Sequence, residues 1–361
     1  MTVRTDSSFL VSAKLLMSTD CEDEMSHRTA AALVGLWVVL GPGVRLANAQ
    51  ASSSPSTTQV HMVITDQAFN DTEDAPVLRA NNVQVKQGKS ALKVEQVIPA
   101  RGENAALQLF VLIDETCDHS IGNNLNDLRD FINAQPASTL VGVAYMANAT
   151  VQIAQNLTAD HALAAKAIRL PRGNTSTMDS PYLSLISLVK SWPEQKVRRE
   201  VLMVSDGIDR LRGGQPSTPI PPSPYRSSGV STPTMTTVPT ISSDADPASR
   251  ASQRYGVIVH SIYSPGVGRL GRNAWEAQLG QSGVAKIADE TGGEYFSLGT
   301  ANPVSFKPYL ERLERIFNNQ YFLVFQAMPG KKEGLQRVKI STEIENVDIA
   351  AADSVWVPAG A

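Results

Sequence analysis

Apolar and polar positions follow three regimes along this chain. Over residues 59–100, short alternating runs at Val60–Ile64, Val83–Val85 and Leu92–Val97 are separated by Asn/Asp-rich and Gly-containing turns. That pattern predicts a small antiparallel β module. Between 105 and 320, strand-like and helix-like patterns alternate instead, as a doubly wound α/β domain requires. Leu107–Ile113 is a continuous apolar run, the mark of a strand buried on both faces. Ile121, Leu125, Leu128, Phe131 and Ile132 then fall at helical spacing, with Ser120 placed to cap that helix. Leu140–Met146 and Thr150–Leu157 predict a hairpin turning at residues 147–149. Ser180-Pro181 predicts the start of a helix carrying Leu185, Ile186, Val189 and Trp192. Val201–Val204, Val257–Tyr263 and Glu294–Leu298 supply further strands, and Phe306, Tyr309, Leu310, Leu313, Ile316 and Phe317 a closing amphipathic helix. Strand-like runs return over 321–358, at Tyr321–Ala327, Leu335–Thr342 and Val355–Val357. Because chain ends usually lie close together, these are expected to pack with 59–100 as a small β-sandwich. The fold expected is therefore α/β: a doubly wound, mostly parallel sheet with flanking helices, Rossmann-like, beside that β module.

Two stretches break the pattern. Residues 211–247 are rich in Pro, Ser, Thr and Gly with few large apolar side chains, and they read as an insertion at the carboxyl end of a strand. At the amino end, Ala30–Val44 is a short apolar stretch after His27-Arg28, followed by the small-residue site Ala47-Asn48-Ala49. This is the signature of an export signal over 25–49, cleaved before Gln50, with 50–58 as a linker. Asp20, Glu22, Asp23 and Glu24 suit a signal poorly, so 1–24 reads as an upstream extension and Met25 as the start. A membrane anchor would need roughly 20 apolar residues, whereas this run contains Gly41-Pro42-Gly43. The expected location is extracytoplasmic, secreted or periplasmic.

Composition changes this picture little. With 42% apolar residues in 361, the chain can bury a substantial core. Its 32 basic and 35 acidic residues give a net charge of −3, which offers no electrostatic reason to expect nucleic acid or an anionic membrane as partner. Of the two cysteines, Cys21 precedes the cleavage site and Cys117 follows it, so the mature protein is expected to lack an internal disulfide.

The chemistry concentrates where two apolar runs stop at acids. Leu107–Ile113 ends in Asp114-Glu115-Thr116, and Val201–Val204 ends in Ser205-Asp206-Gly207. In a parallel sheet the carboxyl ends of such strands open onto one crevice, so these oxygen-bearing side chains are expected to converge. The order strand-Asp, helix, hairpin, Gly173-Asn174-Thr175 loop, helix, strand-Ser-Asp-Gly resembles the von Willebrand factor A domain, and in particular its secreted bacterial relatives. The resemblance covers about residues 105–320.

That resemblance implies a metal-ion-dependent adhesion site built from an Asp-x-Ser-x-Ser motif, a Thr from a second loop and an Asp from a third. Mapped onto this chain, the metal ligands would be Asp114, Thr116, Asp118, Thr175 and Asp206. Thr116 and Asp118 stand where the family has serines. The ion implied is Mg²⁺, or Mn²⁺ or Ca²⁺, since hard cations take such oxygen ligands. The partner would be a protein or cell-surface ligand read through an acidic side chain. Asp118, with Glu115 adjacent, departs from the motif by bringing up to four carboxylates near the ion, which could neutralise it too far to attract an external carboxylate.

Three readings follow. The first is a binding or adhesion protein using this degenerate site, and the second a structural or assembly module of the envelope with a vestigial, metal-free crevice. The third is a hydrolase using Asp206, Ser205 and His260. The chain has no Gly-x-Ser-x-Gly elbow, His-Glu-x-x-His, phosphate-binding loop or Cys-x-x-Cys, and Gly266-Val267-Gly268 lacks the context of a dinucleotide loop, so the expectation is a protein that is not an enzyme.

Overall fold

The computed structural model describes residues 57–69, 77–173, 176–193, 195–211, 242, 244–266, 274–299 and 301–359. The expected extension, export signal, Thr175 and most of the expected insertion lie outside the described residues. Strands β1 (Thr58–Asp66), β2 (Val83–Gln87), β3 (Ser90–Leu92) and β4 (Val94–Pro99) come first. The α/β region follows as β5 (Leu107–Asp114), α1 (Leu125–Ala134), β6 (Thr139–Ala147), β7 (Thr150–Thr158), α2 (His161–Lys166), α3 (Pro181–Ser191) and β8 (Arg198–Ser205). It continues as α4 (Ala245–Arg254), β9 (Val257–Tyr263), α5 (Ala274–Thr291), β10 (Tyr295–Phe296) and α6 (Lys307–Asn318). Strands β11 (Gln320–Ala327), β12 (Gly334–Thr342), β13 (Ile349–Ala351) and β14 (Ser354–Val357) end the chain.

The central sheet runs β10-β9-β8-β5-β6-β7, parallel throughout except for the antiparallel edge strand β7. Every residue of β5, β8 and β9 is buried, because helices cover both faces. Successive side chains of a strand point to opposite faces, so β5 divides its apolar residues between two cores. Leu107, Leu109, Val111 and Ile113 join α1 and α6 residues such as Leu128, Phe131, Leu313 and Phe317. Phe110 and Leu112 join α3 and α5 residues such as Tyr182, Leu185 and Val284. The β6–β7 hairpin turns through Asn148 and Ala149, both with positive φ (51° and 56°), the conformation that matches strand twist in a two-residue turn.

The flanking segments form two four-stranded antiparallel sheets, β13-β1-β11-β4 and β14-β12-β2-β3. Residues of both share one apolar cluster, with Val60, Ile64, Leu323 and Phe325 from the first and Val85, Val338 and Val357 from the second. Each sheet mixes strands from before and after the α/β region, with β1 paired to β11 from Thr58↔Ala327 to Thr65↔Gln320.

Two expectations are corrected. Helix α4 begins at Ala245, inside the expected insertion of 211–247. Its buried face is Ala245, Ala248, Ser249 and Ser252, too small and polar to register as an apolar stripe. The cap before α1 is Asp118, whose carboxylate accepts from Ser120 N at 2.9 Å and starts a 3-10 turn over His119–Asn124. Ser120 is thus the capped residue, and its own hydroxyl accepts from Asn302.

Candidate functional site

Parallel pairing of β5 with β8, in register at Ile113↔Val204, brings the ends of the two acid-terminated runs side by side. Ser205 Oγ donates to Asp114 Oδ2 at 2.7 Å, and Thr116 N donates to Asp114 Oδ1 at 2.9 Å. Ser205 Oγ also accepts from Gly207 N at 3.0 Å, which folds the chain sharply back after β8. Gly207 has φ +68°, and a Cβ there would lie 2.2 Å from Gly280 O, so the Asp-Gly step needs glycine for both conformation and space. From α3, the buried Tyr182 hydroxyl donates to Gly207 O at 2.6 Å and fixes the turn. Asp114, Thr116 and Asp206, three of the residues expected to meet, are thus gathered on two adjacent strand ends.

The positive charge in this crevice is Arg210. Its Nη2 lies 2.6 Å from Asp206 Oδ2 and its Nη1 3.4 Å from Oδ1, with 10% of the Arg210 side chain and 1% of the Asp206 side chain exposed. Burial works against the guanidinium's charge, yet Asp206 and Asp114 outweigh it and hold Arg210 above its ordinary pKa. Asp114 is pushed up to about 6, first by burial and then by the Asp206 charge, with Arg210 pulling the other way. Sequence reasoning passed over Arg210. Its signal was the spacing, since opposite charges four residues apart are a pairing pattern, but the turn after β8 gave no helix on which to place it.

A strap closes the crevice. Ser264 N donates to Ser205 O (3.1 Å), Asp118 N donates to Pro265 O (2.8 Å), and Cys117 and Gly266 form an antiparallel bridge. A Cβ on Gly266 would lie 2.0 Å from Asp206 Oδ2, so the backbone lies directly against the ion pair. Beneath it Asp114, Thr116, Cys117, Ser205 and Asp206 are each at most 3% exposed. Burial also pushes the Cys117 thiol well up, with the Asp114 and Asp206 charges adding to it.

The other expected participants are engaged elsewhere. Glu115 turns away to Arg169, which hydrogen-bonds both its oxygens, and it accepts from Arg172 N at 2.7 Å. Burial raises its pKa, but these partners more than offset that and leave it lowered. The expected cluster of four carboxylates is therefore not formed. Asp118 is occupied as a cap. Asp179, which the sequence reading did not single out, anchors the neighbouring loops: its carboxylate accepts from Asn148 N (2.8 Å) and Ser176 N (2.6 Å), and its carbonyl from Arg210 N and Leu211 N. His260 lies three residues back along β9 from Tyr263, the partner of Ser205, or about 10 Å at a strand's rise. Its Nε2 is 2.7 Å from Glu200 Oε2 and its Nδ1 accepts from Glu294 N, so Ser205, Asp206 and His260 do not form a relay.

These residues fit a divalent cation poorly. Mg²⁺ demands near-octahedral oxygens, yet Asp206 is taken by a guanidinium and Asp118 by a backbone amide. Among the described residues, no group of three or more His, Cys, Asp or Glu side chains is placed to hold a metal. One atom runs the other way: the buried Thr116 Oγ1 has no hydrogen-bond partner.

No family model matches the chain, and no curated protein matches it. Solved structures do. An aerotolerance-related membrane protein from Bacteroides fragilis, carrying multiple mutations to serines, is 13% identical with a TM-score of 0.37 over 59% of this chain and 99% of that one. The SpRpn10 VWA domain is 11% identical, TM-score 0.33, over 58% and 95%. The human COPII-coat protein Sec24c is 7% identical, TM-score 0.36, over 71% and 44%. At these levels the likeness bears on the fold alone, and the expected mostly parallel sheet with flanking helices is the one that the strand pairing described above forms.

Proposed function

We propose that this protein is an exported interaction module in which the acidic crevice is a metal-free internal lock and partner recognition takes place on another surface. The observation that carries this reading is the Asp206–Arg210 ion pair under the Ser264–Gly266 strap. A guanidinium supplies the counter-charge that a cation would supply, and the strap leaves no acid open to an outside ligand. Export rests on the signal pattern of residues 25–49, and a binding role on the resemblance of the α/β region to adhesion domains.

The test is calorimetric titration of the full chain with Mg²⁺ and Mn²⁺, beside thermal melts with and without EDTA. No saturable heat and no change in melting temperature are expected. A cation held in the folded state at a hundred times its Kd would add about 2.7 kcal/mol of stability, and such a shift would overturn the reading. It would favour a second one, an adhesion site in which Thr116 Oγ1 takes an ion together with Asp114 and Thr175 and a partner's carboxylate completes the shell.

A further inference from the structure

Away from the crevice, helices α4 and α5 and strands β12 and β14 enclose a cleft of about 760 Å³. This is within the size range of small-ligand and side-chain sites. Its positive groups are Arg250 and Arg254 from α4, Lys286 from α5 and Arg337 from β12. Arg250 and Arg254 are four residues apart and so lie one above the other on the helix. Asp246, Glu290 and Asp353 line it as well.

The acids are already matched. Lys286 pairs with Glu290 and lies 3.4 Å from Asp246, and Asp353 takes Gln253 Nε2 at 2.6 Å and Arg337 at 3.7 Å. The two arginines of α4 are not: among the described residues neither has a hydrogen-bond or ion-pair partner. Arg254 instead lies over the half-buried Trp356 ring, its guanidinium carbon 4.0 Å from the ring centre. A cation–π contact of this kind holds a guanidinium in place without using up its N–H donors, which leaves them for a bidentate acceptor. Leu335 and the rest of the Trp356 face supply apolar wall beside it.

We propose that this cleft binds a protein segment carrying one Asp or Glu side chain flanked by apolar residues, with Arg254 and Arg250 holding the carboxylate and Trp356 and Leu335 the neighbours. Charge complementarity sets the class. Its four positive and three acidic groups leave the lining one positive charge in excess, which a single carboxylate neutralises and a phosphate dianion would overcompensate. The chain's own insertion cannot supply this group, since residues 212–243 contain no Asp or Glu. This site rests on the reading of the protein as an interaction module and gives that module its recognition surface.

The experiment is NMR of the ¹⁵N-labelled full chain, following the Trp356 indole N–H, identified by its loss in Trp356→Phe, and the Arg254 Nε–H. The probes are acetyl-Leu-Glu-Leu-amide, acetyl-Leu-Gln-Leu-amide and inorganic phosphate at millimolar concentration. The Glu peptide is expected to move both signals saturably and to bind at least about tenfold tighter than the Gln peptide, the factor that about 1.4 kcal/mol of charge-assisted hydrogen bonding supplies. An Arg250→Gln/Arg254→Gln variant is expected to lose the effect while the remaining spectrum stays that of the folded protein. No saturable shift, equal response to the Gln peptide, or a larger response to phosphate would each overturn the proposal. Mg²⁺ binding at the crevice overturns the metal-free lock whatever the peptide does. A silent peptide with silent Mg²⁺ overturns the cleft alone.

Discussion

Asp206 and Arg210 show how a buried charge pair constrains what can be changed one residue at a time. Removing one partner of such a pair leaves the other uncompensated in a low-dielectric setting, and the loss is typically about 3–5 kcal/mol. Arg210→Ala is expected to fall in that range by urea unfolding, because Asp206 and Asp114 then face each other with no counter-charge. The double variant Asp206→Ala/Arg210→Ala is expected to lose less than Arg210→Ala alone. Asp114 gives the crevice a pH dependence of known sign. Its proton affinity is raised by folding, from an ordinary 3.8 to about 6. Its contribution to stability is therefore fully present below about 3.8 and is lost as pH rises through about 6. Across that window wild type is expected to lose on the order of 3 kcal/mol relative to Asp114→Asn, read by chemical denaturation at a series of pH values. Asp114, Thr116 and Asp206 were legible in the sequence because each stands within three residues of the end of a run of buried apolar residues. Arg210 was not, since the feature that pairs it with Asp206 is a turn conformation set by Gly207 and Tyr182.

At the level of elements, long apolar runs and wide stripes were readable, and helices with small faces were not. β5, β8, β9, α1 and α6 fall where the pattern puts them, whereas α4 buries alanines and serines and α5 carries two interior glycines. Those glycines are where the helix meets the site: a Cβ on Gly280 would lie 2.2 Å from Asp206 O, and one on Gly283 2.0 Å from the Tyr182 hydroxyl. An exposed glycine inside a helix ordinarily gains about 1 kcal/mol on replacement by alanine. Gly280→Ala is expected to do the reverse and destabilise the protein by about 1–3 kcal/mol, the usual cost of overpacking, measured as a lowered urea midpoint. The sign of that change distinguishes a helix pressed against the Asp206 turn from one standing clear of it.

For the molecule as a whole, the alternation of strand and helix patterns was enough to give the central sheet, and the return of short strands after residue 320 to give the flanking ones. What periodicity could not supply was how the two flanking segments interleave, because partner choice between strands is set by packing across long sequence distances and not by the pattern within either. Here β1 is seated between β13 and β11, and its partners on β11 lie 255 to 269 residues downstream. A chain leaving the ribosome or a translocation channel amino end first therefore presents β1 with both backbone edges unsatisfied until β11 has emerged, more than 250 residues later. Contacts of such long range form slowly, and unpaired edges recruit other chains. Passage through the cell thus becomes a period of vulnerability that closes only when β11 and β13 arrive to pair with β1, and a nascent chain of this design has reason to be escorted.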